Sequence, residues 1–118
     1  MKIALYSVSS GKVVNTIIEN LFKFQIKYNL QFYIENSFSK KINPELKPNF
    51  KTFSSHKQLD KSIDLMITIG GDGTLLRSVS YIRNLGIPVI GINTGRLGFL
   101  ATLSLNELSV KLEKILKK

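Results

Sequence analysis

The stretch that decides the fold spans Ile63–Arg77 and reads IDLMITIGGDGTLLR. A run of apolar, largely β-branched residues ends there at a glycine-rich turn that holds one carboxylate, and a helical pattern begins directly after the turn. Helix-start N–H groups and bare glycine backbone suit such a strand–loop–helix junction to phosphate groups. The stretch therefore predicts a strand that ends in a ligand-binding loop, and we expect a second loop, residues 93–100, to act with it.

The chain begins with the pattern of a βαβ unit. An apolar run at Lys2–Tyr6 predicts a buried first strand, and Leu30–Ile34 predicts a second one. Between them, apolar residues from Val13 to Phe22 recur at helical spacing over about four turns. Strand, helix and strand in this order predict a parallel sheet with a right-handed crossover.

The middle of the chain is less regular. Residues 36–49 contain several Ser, Lys and Pro residues and predict a surface connection, with a turn of helix near Glu45. Thr52–Phe53 is predicted to be a short strand. Ser55 and Gln58 have the spacing of a capping box, which predicts a short helix that runs through Lys61.

After the predicted strand Asp64–Ile69 and its glycine turn, another helix and strand follow. Gly86 has the position of a glycine that ends the helix, and Val89–Ile92 is the next strand. A capping box at Ser104 predicts a last helix. The order of elements predicts one α/β domain over residues 1–118, with three layers and a doubly wound, mostly parallel sheet. The apolar face of the helix after the glycine turn is predicted to contain Leu75, Leu76, Val79, Ile82 and Leu85, with Ser78 on another face.

Composition narrows the classes of protein to consider. The chain has no cysteine, which excludes disulfides and thiolate metal sites and favours a reducing compartment, so we expect a cytoplasmic protein without a membrane span. The net charge of +9 comes mostly from dispersed lysines, and only three of the 17 basic residues are arginines. This pattern is typical of a solvated surface, with attraction of anions as the alternative, and it does not indicate a nucleic-acid partner. His56, the one histidine, is expected at the surface.

The glycine turn is neither of two common phosphate motifs. Leu76 stands where the dinucleotide fingerprint needs a small residue, and no Gly-Lys-Ser/Thr follows, as a P-loop would require. Asp72 would repel a bare phosphate, so it is expected either to accept a proton from a hydroxyl or to hold Mg²⁺ against phosphate oxygens. The alternative is a structural role, in which its carboxylate caps the following helix.

Two motifs together resemble those of the NAD kinases. Ile69–Leu76 reads IGGDGTLL, and Gly91–Leu100 reads GINTGRLGFL, in the order and spacing of that family. The first motif is also similar to loops of lipid kinases and phosphofructokinases, whereas the second is specific to NAD kinases. The resemblance covers the whole chain.

The resemblance implies phosphorylation of NAD to NADP at the adenosine ribose 2′-hydroxyl, with ATP or polyphosphate as donor and Mg²⁺ as the accompanying metal. Asp72 matches the family aspartate proposed as general base, and Gly71 and Gly73 match its flanking glycines, with Gly73 as a backbone contact to the nucleotide. The alternatives are a related kinase that acts on a lipid or sugar hydroxyl, and a nucleotide-binding module without catalytic activity.

Four further positions match the family pattern. Leu76 and Phe99 match apolar positions that line the adenosine pocket, although core packing would also explain them. Arg77 is placed to reach a phosphate or ribose oxygen, or is an exposed helix arginine. Asn93 matches the family asparagine at a strand end, where it could also form a turn.

One part of the family pattern is absent from these 118 residues. NAD kinases continue into a second, β-rich domain that helps to bind NAD and the phosphate donor. The resemblance therefore implies an N-terminal domain of a longer enzyme, which holds half of the site and is inactive alone. It also implies that the full-length protein is a homo-oligomer.

Overall fold

The computed structural model describes residues 1–9, 11–46 and 49–93, together with Val110 and Lys114. Its centre is a five-stranded sheet in which all paired strands are parallel and the order is β3-β2-β1-β4-β5. The strands are β1 (Lys2–Tyr6), β2 (Gln31–Glu35), β3 (Phe50–Phe53), β4 (Leu65–Gly70) and β5 (Val89–Asn93). These bounds lie within one or two residues of the predicted ones, and every strand except β3 contains a short apolar run.

Helices cover both faces of the sheet, as a doubly wound fold requires. Helix α1 (Lys12–Tyr28) packs its apolar residues against the face that carries Ile3 and Leu5. The opposite face carries Ala4 and Met66, and Ile82 of helix α3 (Asp72–Ile82) packs there. The predicted three-layer α/β fold with a parallel sheet is confirmed.

The direction of winding reverses between β1 and β4. From β1 the chain moves outward through β2 and β3, and it then returns to place β4 on the other side of β1. In open parallel sheets, the carboxyl ends of the two strands at this reversal form the crevice in which ligands bind. The glycine turn follows β4 directly, so it lies at that crevice.

The prediction of an irregular surface connection from residue 36 is wrong for its first part. Glu35 accepts hydrogen bonds from the backbone N–H groups of Ser37 (2.9 Å) and Phe38 (3.1 Å), and it starts helix α2 (Asn36–Ser39) directly after β2. Phe38 and Ile42 are buried in the core on the α1 side. The predicted helical turn near Glu45 is confirmed as a 3₁₀ turn at Pro44–Leu46.

The predicted helix through Lys61 is also shorter than expected. It is a single 3₁₀ turn at His56–Gln58, preceded by Ser55, whose side chain makes no capping hydrogen bond. The side chain of Gln58 does reach back, and its Oε1 accepts a hydrogen bond from the Ser54 backbone N–H. The predicted capping box is therefore not formed, because Gln58 reaches the residue before the N-cap and not Ser55 itself.

Helix α3 ends earlier than predicted and presents a different face to the sheet. It ends at Ile82, since Arg83 takes a left-handed φ of 50° and donates its N–H to the Val79 carbonyl at 2.8 Å. Gly86, the predicted end, lies in the turn beyond it with a φ of +73°. The buried residues of α3 are Thr74, Ser78 and Ile82, whereas Leu76 and Val79 are exposed.

The predicted last helix lies outside the described residues, except that Val110 and Lys114 are helical and exposed. Within the part of the chain that is described, every helix is too short or too polar to cross a membrane.

Candidate functional site

The turn between β4 and α3 brings one carboxylate to the carboxyl edge of the sheet. Every residue of β4 is buried, and the chain emerges at Gly71, which occupies the N-cap position of α3. Asp72 is the first residue of the helix and is half-buried. Gly71 and not Asp72 holds the N-cap position, so the structural alternative is wrong about the position of Asp72 in the helix. At the first helical position its negative charge still interacts favourably with the helix dipole.

Only one of the glycines in the turn is required by the fold itself. Gly70 has a φ of +151°, and a Cβ atom on it would lie 2.5 Å from the Thr74 hydroxyl oxygen. Gly71 has a φ of −110°, which any residue can adopt, and no described atom lies within 4 Å of a Cβ placed on it or on Gly73. Among the described residues, nothing fills the space beside the backbone on either side of Asp72.

The second predicted loop starts beside the first one. In the register of β4 and β5, Gly70 pairs with Asn93, so the two strands deliver both motifs to the same edge of the sheet. The sequence prediction that the two loops act together is consistent with this register. Phe99 lies outside the described residues.

Leu76 and Arg77 follow Asp72 by one turn of α3. Leu76 is 62% exposed, and its spacing of four residues places it on the same stripe of the helix as Asp72. Arg77 is also exposed, but its guanidinium lies near enough to the phenol of Tyr6, at the end of β1, to lower the pKa of that phenol. Arg77 therefore points toward the carboxyl edge of the sheet and not away into solvent.

Three aromatic residues that sequence reasoning did not select form a cluster, of which Tyr6 is the member near Arg77. The rings of Tyr6 and Tyr81 are 5.1 Å apart, and Phe53 meets Tyr81 edge-on at 5.2 Å. Burial raises the pKa of the Tyr6 phenol, and the Glu35 carboxylate raises it further, while the Arg77 charge acts in the opposite direction. Burial also raises the pKa of Tyr81, with Glu35 and Tyr6 adding to the effect. The one feature of the sequence that could have indicated this cluster is the position of Tyr6 at the end of the first strand.

Metal ligation by the protein alone has no basis in the described part of the chain. No group of three or more His, Cys, Asp or Glu side chains there could hold a metal ion. His56 lies in the 3₁₀ turn after β3 and is partly exposed.

A doubly wound parallel sheet with a Gly-Gly-Asp-Gly turn at its crevice defines a class of α/β domains that hold a ligand where a strand passes into a helix. The profile of the ATP-NAD kinase N-terminal domain matches residues 7–118. The chain belongs to this family, which confirms the resemblance seen in the two motifs.

Relatives of known name agree with the family match. The chain is 42% identical over 120 residues to the NAD kinase of Flavobacterium psychrophilum, with 100% of this chain and 41% of the relative covered. It is 43% identical over 120 residues to that of Christiangramia forsetii, with the same coverage. The chain thus spans about two fifths of the length of these relatives.

Two solved structures share the fold. Yeast NADH kinase, complexed with NADH, superimposes with a TM-score of 0.77 at 18% identity, over 99% of this chain and 38% of the yeast chain. The NAD kinase of Archaeoglobus fulgidus, in complex with ATP, gives a TM-score of 0.58 at 21% identity, over 99% and 37%.

Proposed function

We propose that this domain forms one wall of a site that phosphorylates NAD to NADP at the adenosine ribose 2′-hydroxyl. The observation that carries the proposal is the position of Asp72. Its carboxylate stands at the carboxyl end of β4 and at the start of α3, between two glycines whose Cβ positions are open. The backbone on either side of the carboxylate therefore has room for a ligand among the described residues.

The rate of this reaction depends more on the position of the proton acceptor than on its strength as a base. The 2′-oxygen forms a bond to the terminal phosphorus of the donor, ATP or polyphosphate, and the bond to the leaving phosphate breaks. The hydroxyl proton passes to Asp72. In phosphoryl transfer with a loose transition state, bond formation to the attacking oxygen lags, so position contributes more than basicity.

The remaining residues of the proposed site bind and orient NAD. Backbone N–H groups at Gly71 and Gly73 face the ligand at the positive end of the α3 dipole. Leu76 presents an exposed apolar side chain on the same stripe as Asp72, and Phe99 and Asn93 belong to the second loop. Arg77, whose charge lies near the Tyr6 phenol, supplies a cation for a phosphate or ribose oxygen.

Mg²⁺ would accompany the donor and neutralise part of its charge. Since the described residues gather no three-ligand group, its ligands would be mainly phosphate oxygens and water, as is common for this ion.

The domain holds only part of the proposed site. The relatives are more than twice as long, since the chain covers 41% of their length. We propose that residues supplied by the remaining part complete the cleft, that the 118 residues alone have little activity, and that the full-length protein is a cytoplasmic homo-oligomer. A cleft with one wall missing buries little of its ligand.

The role of Asp72 is tested by Asp72→Asn in the full-length gene product. We expect NADP formation to fall on the order of 100-fold or more, the usual contribution of a placed acid or base. Asp64→Asn is the matched control, because Asp64 precedes β4 at the opposite edge of the sheet, where it accepts the Lys2 backbone N–H at 2.8 Å. Near-normal activity of Asp72→Asn would refute the base assignment. A wild-type protein that binds NAD but forms no NADP would instead favour the non-catalytic module.

A further inference from the structure

A buried hydroxyl joins the two strands that border the crevice. Ser7 follows directly after β1 and is 2% exposed. Its Oγ donates a hydrogen bond to the Ile69 carbonyl of β4 at 2.5 Å and accepts one from the Ser9 backbone N–H at 3.0 Å. The last backbone pair of these strands is Tyr6 with Thr68. The hydroxyl therefore extends the connection by one residue, up to the start of the glycine turn.

The carbonyl that Ser7 holds belongs to the peptide group that sets up the turn. This peptide joins Ile69 to Gly70, whose φ of +151° directs the chain out of the sheet. Gly70 in turn lies close against the buried side chain of Thr74 in the first turn of α3. A change in the orientation of the Ile69 carbonyl would therefore be passed to both ends of the Gly70–Gly73 turn.

The segment that carries Ser7 is itself fixed from the other side. Lys41 Nζ donates a hydrogen bond to the Val8 carbonyl at 3.2 Å. The backbone N–H of Lys41 bonds the carbonyl of Phe38 at 2.9 Å, and Phe38 is buried in the core. Two hydrogen bonds therefore hold the turn after β1, one from Lys41 just after α2 and one from Ser7 to Ile69 of β4. They restrict the position from which Ser7 orients the Ile69 carbonyl.

We propose that Ser7 is a positioning residue for the glycine turn and, through it, for Asp72. This inference rests on the proposed function, and it deepens it by naming a residue on the other side of the crevice that sets the geometry of the reacting group. Ser7 does not touch the substrate in this scheme. Its contribution is orientation, to which the rate of a positioned proton transfer is sensitive, since a misplacement of about 1 Å can cost on the order of 100-fold.

The test compares Ser7→Ala with Ser78→Ala in the full-length gene product. Ser78 is the matched control, because its side chain is also buried and its Oγ also donates to a carbonyl at 2.5 Å. That carbonyl belongs to Leu75 of the same helix, so the bond does not join two strands. Both variants lose a buried hydroxyl and should be destabilised to a similar degree.

We expect Ser7→Ala to lower kcat about tenfold or more while KM for NAD changes less than about threefold. Ser78→Ala should keep kcat near the wild-type value. Equal kcat values in the two variants, measured below their unfolding temperatures, would overturn the proposal.

Amide hydrogen exchange gives a readout that does not depend on activity. We expect faster exchange at Gly71–Leu75 in Ser7→Ala, and unchanged exchange there in Ser78→Ala. Protection that is unchanged in Ser7→Ala would overturn the positioning role even if the wild-type protein formed NADP. A wild-type protein that forms no NADP would refute the proposed function and leave the exchange comparison to decide the role of Ser7.

Discussion

The glycines around Asp72 differ in what the fold demands of them. Gly73 lies in the first turn of α3, and no described atom is within 4 Å of a Cβ placed on it. We expect Gly73→Ala to stabilise the folded state by a few tenths to about 1 kcal/mol, because alanine is the better helix former. If the nucleotide contacts the Gly73 backbone, the added methyl should weaken NAD binding about tenfold, or about 1.4 kcal/mol. Calorimetric binding and thermal unfolding of one variant measure both effects.

Gly70→Ala is the contrasting variant. A side chain at Gly70 would have to adopt a φ of +151° and approach the Thr74 hydroxyl to 2.5 Å. We expect a loss of about 1–3 kcal/mol in the free energy of unfolding, typical of a residue forced into a backbone region that only glycine favours. Urea unfolding of the variant and of the wild-type protein measures this loss. Equal stability of the Gly70 and Gly73 variants would contradict the distinction between a glycine that the fold requires and one that a ligand requires.

The raised pKa values of Tyr6 and Tyr81 predict how the free energy of unfolding changes at alkaline pH. Burial raises the pKa of Tyr6 and Tyr81 above the ordinary value of 10.0. Above pH 10.0 the unfolded chain releases phenol protons that the folded chain keeps, so the free energy of unfolding falls as pH rises toward the folded-state pKa values. Tyr81→Phe removes one such group and should make the fall shallower. Urea unfolding from about pH 9 to 11 measures the slope, and an identical slope in the variant would contradict the assignment.

At the scale of elements, the strands could be predicted from the sequence and the facing of α3 could not. Strands β1 and β4 are short apolar runs between turn residues, so their burial follows from local pattern, whereas β3 buries only Phe53. Helix α3 instead buries Thr74 and Ser78. Small hydroxyl side chains allow a helix to approach a sheet closely, and the Ser78 hydroxyl is satisfied by its own helix, through the Leu75 carbonyl. The spacing of apolar residues in the sequence does not predict that small hydroxyl side chains will face the sheet.

Some residues of the site could likewise be predicted from the local sequence, whereas others depend on the tertiary fold. Asp72 and its glycines are adjacent in sequence and could be selected as a motif, and the β4–β5 register brings Asn93 beside Gly70 as two parallel strands should. Ser7 and Tyr6 act through residues more than 60 positions away. Their roles depend on β1 lying next to β4, which follows from the sheet order and not from any local pattern.

The outward face of α3 supports a prediction about ligand contact. Leu76 and Val79 are exposed to 62% and 58%, so neither contributes much to the core. We expect Leu76→Ser to leave stability within about 0.5 kcal/mol of wild type. If Leu76 covers the adenosine, its loss should weaken NAD binding about tenfold, close to 1.4 kcal/mol.

Val79→Ser is the control for that prediction. It removes an equally exposed apolar side chain from the same helix, one turn farther from Asp72. Its NAD affinity should stay within about twofold of wild type, a difference well below 1 kcal/mol. Equal weakening by the two substitutions would show that Leu76 has no special place in the ligand site.

At the scale of the whole molecule, the proposed site predicts a second wall that this domain shares with the rest of a longer protein. The chain aligns with 41% of the F. psychrophilum NAD kinase, and the proposed cleft therefore requires the part of that relative that lies beyond the alignment. The 118 residues can be produced alone and also joined to that remaining part. We expect the joined protein to form NADP at least about 100-fold faster per molecule, because binding between two walls both buries NAD and aligns its 2′-hydroxyl.

Asp72→Asn in the joined protein assigns any gained activity to this domain. If the wall described here supplies the base, the substitution should return NADP formation to the level of the 118 residues alone. Activity that survives Asp72→Asn would place the base in the added part. Equal rates for the separate and joined chains would show that the crevice at β1 and β4 is complete without a second wall, since a ligand held on both sides should react faster than one held on a single side.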